Sequence, residues 1–509
     1  MQVHSAVRQL RRLSASIPNV GLLQSKRSFR VTVETIDPAL VKMKYAVRGE
    51  VVEKAAEMSK RLEAGEDLPF KMMVPCNIGN PQAVKQPPIS FYRQVGACVT
   101  YPELMETDVM PADVIARAKE YLAGTGGNGI GAYTESAGML MVRKQIAEFI
   151  ERRDGFPCDP DRIQLTTGAS QAVNRIMSAM FTATDKEGAV MIPCPQYPLY
   201  SAGATKYGAE AVYYSLDEEA NWSLSKTELV RSYDKAAADG FTVRAIAVIN
   251  PGNPTGAVLS YEDMQMIIDF AKERGLLILA DEVYQENIYD DTKQFHSFKK
   301  VLSQTIQKHP EGGYGDVQVV SFHSNSKGLI GECGIRGGYA EFFNFSDDTM
   351  AVFLKMASVS LCSSAISQIF CGLMTTPPKE GDPSYPLFKL ERDAIYDGLK
   401  RRAKLLQAGL NEIEGISCAN IEGAMYAFPS LHIPPKAVAR ANELGIAADQ
   451  YWCLRLVEET GIICVPGSGF GQKEGTFHFR TTILPPDDMM QGMLEGMKGF
   501  QKSFLKEFA

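Results

Sequence analysis

Across 509 residues there is no apolar run approaching the roughly 18 needed to cross a bilayer, which argues against a membrane-spanning helix. There is no excess of positive charge either: the net charge of −7 argues against nucleic acid as a main partner. The ten cysteines are scattered without a C-x-x-C pair, a spacing that suits neither a zinc site nor a disulfide framework and fits a reducing compartment. Internal repeats and low-complexity tracts are also lacking. What remains, 45% apolar, 22% charged and rich in glycine, has the balance of a soluble α/β enzyme with enough chain for two or three domains.

One shortage is local. Residues 1–33 hold no acidic side chain but carry Arg8, Arg11, Arg12, Lys26, Arg27, Arg30 and five serines. A helix over Met1 to Ser14 would set Val3, Val7 and Leu10 opposite its arginines. An Arg- and Ser-rich, acid-free start has the composition of an organelle transit peptide, which predicts the mitochondrial matrix, with the cytoplasm as the other location. The ending, Lys506-Glu507-Phe508-Ala509, is not a peroxisomal address.

Farther along, Arg162–Thr166, Ala189–Ile192, Ala245–Ile249, Leu276–Ala280 and Gln318–Phe322 each read as short buried strands. Helical patterns lie between them, as in Ser170 to Phe181, so the alternation predicts a mainly parallel sheet covered on both faces. Five glycines between Gly124 and Gly131 mark a loop, and Met110-Pro111 starts a helix with proline in its first turn. Prolines around Pro377 to Pro386 mark a boundary, after which Leu387 to Ile413 forms a long helix. The divisions expected are 1–33 (leader), 34–110 (arm and part of a small domain), 111–380 (large domain) and 381–509 (small α+β domain).

The strand ends carry the chemistry. Thr167-Gly168-Ala169-Ser170 opens a helix whose free N–H groups and dipole favour a phosphate, with Ser170 able to cap it. Tyr197, between Pro195 and Pro198, offers an aromatic face for stacking on a planar ring. The rigid turn Asn250-Pro251-Gly252-Asn253-Pro254-Thr255-Gly256 presents an asparagine that can donate to a phenolate. Asp281 at a buried strand end demands a cationic partner, which a pyridinium N–H provides, and Tyr284 follows three residues on. Ser324-Asn325-Ser326-Lys327-Gly328 and Arg336 supply hydroxyls, an amine and a guanidinium, as needed to hold a phosphate and form a Schiff base with pyridoxal phosphate. Near the C-terminus Phe477-His478-Phe479-Arg480 places an arginine at the end of an aromatic strand, suited to a carboxylate, whereas His478 reads as structural. Each stretch alone also reads as an ordinary cap, loop tyrosine, turn or salt bridge; their agreement is the signal.

Together with Tyr45-Ala46-Val47-Arg48-Gly49, Gly331-Glu332-Cys333-Gly334 and Pro466-Gly467-Ser468-Gly469-Phe470-Gly471, these motifs resemble the alanine aminotransferases, in the class I, fold-type I group of pyridoxal-phosphate enzymes. The resemblance runs from about residue 40 to the end. It implies a large domain with a mainly parallel sheet, a smaller α+β domain, and a homodimer with the active site at its interface. It implies that Lys327 carries the cofactor and Asp281 binds the pyridine nitrogen, while Asn253 and Tyr284 contact the ring hydroxyl. Ala169, Ser170, Ser324 and Arg336 would hold the phosphate, Tyr197 would stack on the ring, and Tyr133 would reach the partner subunit's cofactor. Arg480 would bind the substrate carboxylate, assisted by Asn253 and the Gly79 backbone, with Arg48 a candidate second anion contact that also reads as a helix-end salt bridge. Amino acids and 2-oxo acids are the implied substrates, with no metal. Two other readings stay open: a glutamate:glyoxylate aminotransferase, and a non-catalytic effector-binding regulator on the same fold.

Overall fold

The computed structural model describes residues 31–43, 49–182 and 187–509. The leader, apart from residues 31–33, and Tyr45 to Arg48 therefore lie outside the described residues. Two compact units divide the chain at Lys42/Met43. Of the first, residues 31–42 form a turn held by Thr32 and Thr35 and a short helix, Pro38–Lys42. All that follows concerns the second.

Its main sheet has seven strands: β1 (Ile163–Thr166), β2 (Gly188–Cys194), β3 (Glu210–Ser215), β4 (Thr242–Ile249), β5 (Leu277–Asp281), β6 (Val319–Ser324) and β7 (Gly338–Phe343). They lie in the order β1-β7-β6-β5-β4-β2-β3, and β7 alone runs against the other six. Side chains alternate between faces along a strand. Met191, Ile246, Val248 and Ile278 accordingly enter one core, and Ile192, Ala245, Ala247 and Leu279 the other. Burial on both sides explains why these segments read as continuous apolar runs.

Register levels three strand ends. Asp281 of β5 pairs with Ile249 of β4 on one side and Phe322 of β6 on the other. The polar residues that follow each strand thus emerge along one edge of the sheet, where ligands of open α/β folds bind.

A second layer joins the two ends of this unit. Helix α1 (Glu50–Glu63) meets α4 (Ala448–Thr460), with Lys54 3.3 Å from Glu458 and Gln450 donating to Glu50. Helix α2 (Ala169–Met180) belongs to the main sheet, and α3 (Tyr385–Asn411) is the long helix expected after the proline cluster. Val74–Pro75 pairs in parallel with Ile462–Ile463. Strands β8 (Tyr426–Ala427), β9 (Val465–Pro466) and β10 (Phe479–Thr482) form an antiparallel sheet in the order β8-β10-β9. Trp452 of α4 stacks on Phe479 at 4.9 Å and hydrogen-bonds Gln501 of the final helix, α5 (Asp487–Glu507), fixing β10 from behind.

The structure departs from the sequence reading in places. Pro111 caps the helix Ala112–Gly124 from just outside instead of lying in its first turn. Arg480 is the second residue of β10, since pairing of Thr481 and Thr482 with β8 carries the strand past it.

Candidate active site

The loop after β6 is closed on itself by Asn325. Its side-chain oxygen accepts from Gly337 N–H (3.1 Å), its N–H donates to Gly337 O (3.2 Å), and its carbonyl accepts from Glu332 N–H (2.8 Å). Glu332, almost fully buried, is paired with Arg93 at 2.6 Å. Inside this ring Lys327 Nζ donates to Gly79 O at 2.6 Å. Arg336 adopts a left-handed backbone (φ 59°) and donates to Cys333 O (3.1 Å) and Ser326 Oγ (3.4 Å).

That guanidinium lies against the start of α2. Gly168, at φ 75°, occupies the N-cap, and a side chain there would run into Arg336. Ser170 is therefore not the cap: it is the second residue of the helix, where its N–H and that of Ala169 are among the unbonded donors of the first turn. With Ser324, Ser326 and Arg336 they outline an anion cradle.

Asp281 is 6% exposed. Its Oδ2 accepts from Tyr200 at 3.0 Å, while Oδ1 is buried without a hydrogen-bond partner among the described residues. Burial pushes its carboxyl up to about 6, against the opposing pull of Tyr200, the Val283 backbone and Lys327. Asn253 Nδ2 lies 3.5 Å from Tyr284 OH, and burial holds the Tyr284 phenol well above its ordinary range.

Arg480 is 1% exposed. It donates to Asn253 Oδ1 (3.2 Å) and Asn77 O (2.5 Å), and its guanidinium sits 4.2 Å from the ring centre of Tyr426 and 4.7 Å from that of Phe470. Two aromatic faces and two amide oxygens orient the charge without neutralising it. His478 stacks on Phe428 with its nitrogens on Gln472 and Glu218, outside the cavity.

A cavity of about 330 Å³ joins these groups. Gly79, Ala169, Ser170, Tyr197, Asn253, Asp281, Tyr284, Ser324, Lys327, Arg336 and Arg480 all line it. Tyr133 does not: it stands 81% exposed on a loop anchored by Thr134 to Gln368 and Cys362. Ser326, whose hydroxyl the sequence offered for a phosphate, also lines the cavity, as do Tyr426 and Cys333, which had no role in the sequence reading. Nor did Tyr200, which grips Asp281.

Gly79 leaves no room for a side chain, since a Cβ would collide with the Tyr426 hydroxyl and come within 3.0 Å of Lys327 Nζ. Gly79→Ala is expected to cut kcat/KM by about tenfold or more while melting within a few degrees of the parent, consistent with a clash of about 1–3 kcal/mol confined to the site. Steady-state kinetics beside a thermal melt would check this.

The family Aminotransferase class I and II matches residues 98–495. Over 97% of the chain it is 46% identical to a probable mitochondrial alanine aminotransferase of Dictyostelium discoideum, covering 92% of that protein. It belongs to the class I and II aminotransferases. Alanine aminotransferase 1 of Homo sapiens is 44% identical over 94% of this chain and 96% of its own. Among solved structures, an alanine aminotransferase from Pyrococcus furiosus superposes with a TM-score of 0.70 at 24% identity, covering 92% of this chain and 100% of its own.

Enzymes of this family depend on pyridoxal phosphate, and so does this aminotransferase. Its atoms suit that cofactor. The orphaned Oδ1 of Asp281 matches a pyridinium N–H, which would favour the ionised carboxylate that burial opposes. The cradle of Ser324, Ser326, Arg336 and the α2 N-terminus matches a phosphate, and the Lys327 amine lies in the same cavity. Amino acids and 2-oxo acids are the substrates of such an enzyme.

Proposed function

We propose that this aminotransferase transfers the amino group of L-alanine to 2-oxoglutarate, giving pyruvate and L-glutamate. The observation that carries the reading is the match, over nearly the whole chain, to proteins named alanine aminotransferases.

The cavity supports the following roles. Arg480, oriented by its hydrogen bonds to Asn253 Oδ1 and Asn77 O, takes the substrate carboxylate. Bound pyridoxal phosphate supplies an electron sink for the substrate Cα. Asp281 would keep its ring nitrogen protonated, Asn253 and Tyr284 would meet its ring hydroxyl, and Tyr197 would stack on the ring. Ala169, Ser170, Ser324 and Arg336 hold the phosphate. Lys327 Nζ would anchor the cofactor, and its free amine would take the Cα proton as a general base.

The enzyme works as a homodimer, on this reading. Tyr133 and Val359, 81% and 86% exposed, are apolar surface that a second subunit would cover, and Tyr133 would then reach the partner's cofactor. Mitochondria are the proposed location, supported by the composition of residues 1–33 and by mitochondrial relatives. The proposed domains are an arm and part of a small domain (34–110), a cofactor-binding large domain (111–380) and the rest of the small domain (381–509).

L-Alanine added alone should bleach the visible absorbance of the bound cofactor and yield one pyruvate per site, with 2-oxoglutarate restoring the band. Bleaching by glutamate or another amino acid but not by alanine would overturn the substrate assignment.

A further inference from the structure

Tyr426 has the geometry of a participant. It is buried on β8, opposite Thr482 of β10, and so stands beside the strand that carries Arg480. Its ring covers the Arg480 guanidinium at 4.2 Å. Its oxygen accepts from Tyr284 OH at 3.4 Å, the rings crossing at 85°. Lys327 engages the same oxygen, and both converge over Gly79, where a Cβ would meet the two together.

We propose that Tyr426 is a further catalytic residue, whose phenol oxygen exchanges a proton with the Lys327 amine while its ring senses the charge on Arg480. The inference rests on Lys327 being the base.

Among the described residues, the ionisable groups that act on this oxygen are Lys327 from the loop after β6, Arg480 from β10 and Tyr284 from the turn after β5. Burial by itself raises the Tyr426 phenol, but the charges of Lys327 and Arg480, with hydrogen bonds from Tyr284 and Lys327, outweigh it and leave the phenol below its ordinary range. Tyr284, by contrast, is pushed well up by burial and by the charge of Tyr426. Of the two phenols, Tyr426 gives up its proton first.

The exchange balances without another reactant. In one direction the phenolate takes a proton from the Lys327 ammonium: an N–H bond breaks, an O–H bond forms, and a neutral amine and phenol result. A carboxylate arriving on Arg480 cancels one of the two charges that favour the phenolate. With a carboxylate on Arg480, the proton shared by the freed Lys327 amine and Tyr426 rests on Tyr426, which leaves that amine able to accept the Cα proton. Recognition of the carboxylate and readiness of the base become one event.

Tyr426→Phe keeps the ring on Arg480 and removes the oxygen. We expect kcat with alanine to fall about 100-fold with KM within about threefold, and the Cα-deuterium isotope effect to rise because proton removal limits more of the rate. A second readout does not depend on turnover. In enzyme carrying its cofactor in the amine form, with Lys327 free, tyrosines labelled with carbon-13 at Cζ are titrated by NMR. The resonance missing from Tyr426→Phe should titrate below ordinary tyrosine, and saturating propionate, a carboxylate without an amine, should move it upward. Unchanged kcat and isotope effect in Tyr426→Phe, or a Tyr426 resonance titrating at the ordinary value and indifferent to propionate, would overturn the proposal. Failure of the lysine assignment is distinguishable, because it would show as an active Lys327→Ala enzyme.

Discussion

Lys327→Ala should lose turnover by about 10,000-fold or more while still binding pyridoxal phosphate. A positioned general base contributes about 100- to 10,000-fold on its own, and this residue is also the cofactor's anchor, so the upper figure is the floor expected here. Cofactor affinity should survive because most of the proposed contacts are elsewhere: the buried carboxylate of Asp281, the guanidinium of Arg336 and the first turn of α2. The fold should survive too, since Lys327 reaches Gly79 O and the Tyr426 oxygen inside the cavity, and Asn325, not the lysine, closes the loop. Spectra of dialysed protein would report retained cofactor, and single-turnover kinetics would report the lost chemistry. Near-normal activity would remove Lys327 from the centre of the reaction.

Arg480→Met should lower kcat/KM for alanine by roughly a hundredfold, corresponding to about 3 kcal/mol for a lost charge-assisted interaction. The reasoning lies in what Arg480 touches. Its acceptors are the amide oxygens of Asn253 and Asn77, and rings cover it on two sides, so its charge is positioned but not matched by a carboxylate. Methionine fills similar volume without the charge, so most of the loss should fall on carboxylate recognition. Comparing alanine with ethylamine isolates it: the parent should strongly prefer alanine, and the variant should lose most of that preference. Arg480→Lys should recover only part, because an ammonium cannot reproduce the planar two-point contact. A variant that still discriminated fully between the two amines would remove Arg480 from substrate binding.

Much of this was legible in the sequence, for a definable reason. Strands β2, β4, β5 and β6 set apolar residues on both faces, so they stand out as runs, while β1 shows through Ile163 and Leu165 alone, and the polar residues that follow the strands agree with one another. Strand β3 was missed because it lies at the sheet edge with alternating exposed residues, and β7 because it begins inside a glycine pair that reads as loop. Ser170 looked like a cap, but only glycine at 168 lets Arg336 approach. Tyr426 was invisible for a different reason. In Gly423-Ala424-Met425-Tyr426-Ala427-Phe428 it looks like core, and its place beside Arg480 follows only from its register against Thr482. Local pattern identifies groups at the ends of strands; it does not identify a neighbour brought in by pairing with a distant strand.

The pairing of the two ends of this unit bears on how the protein is made. Asn77 and Gly79 come early in synthesis, yet their partners include Arg480, and Val74–Pro75 has its strand partner in Ile462–Ile463. A chain emerging from the ribosome can build its main sheet as it goes, but the pocket stays incomplete until the last strand, β10, is translated. Catalytic competence is therefore acquired at the close of translation, and a chain interrupted before Phe479 would have the cofactor cradle without the means to select a substrate.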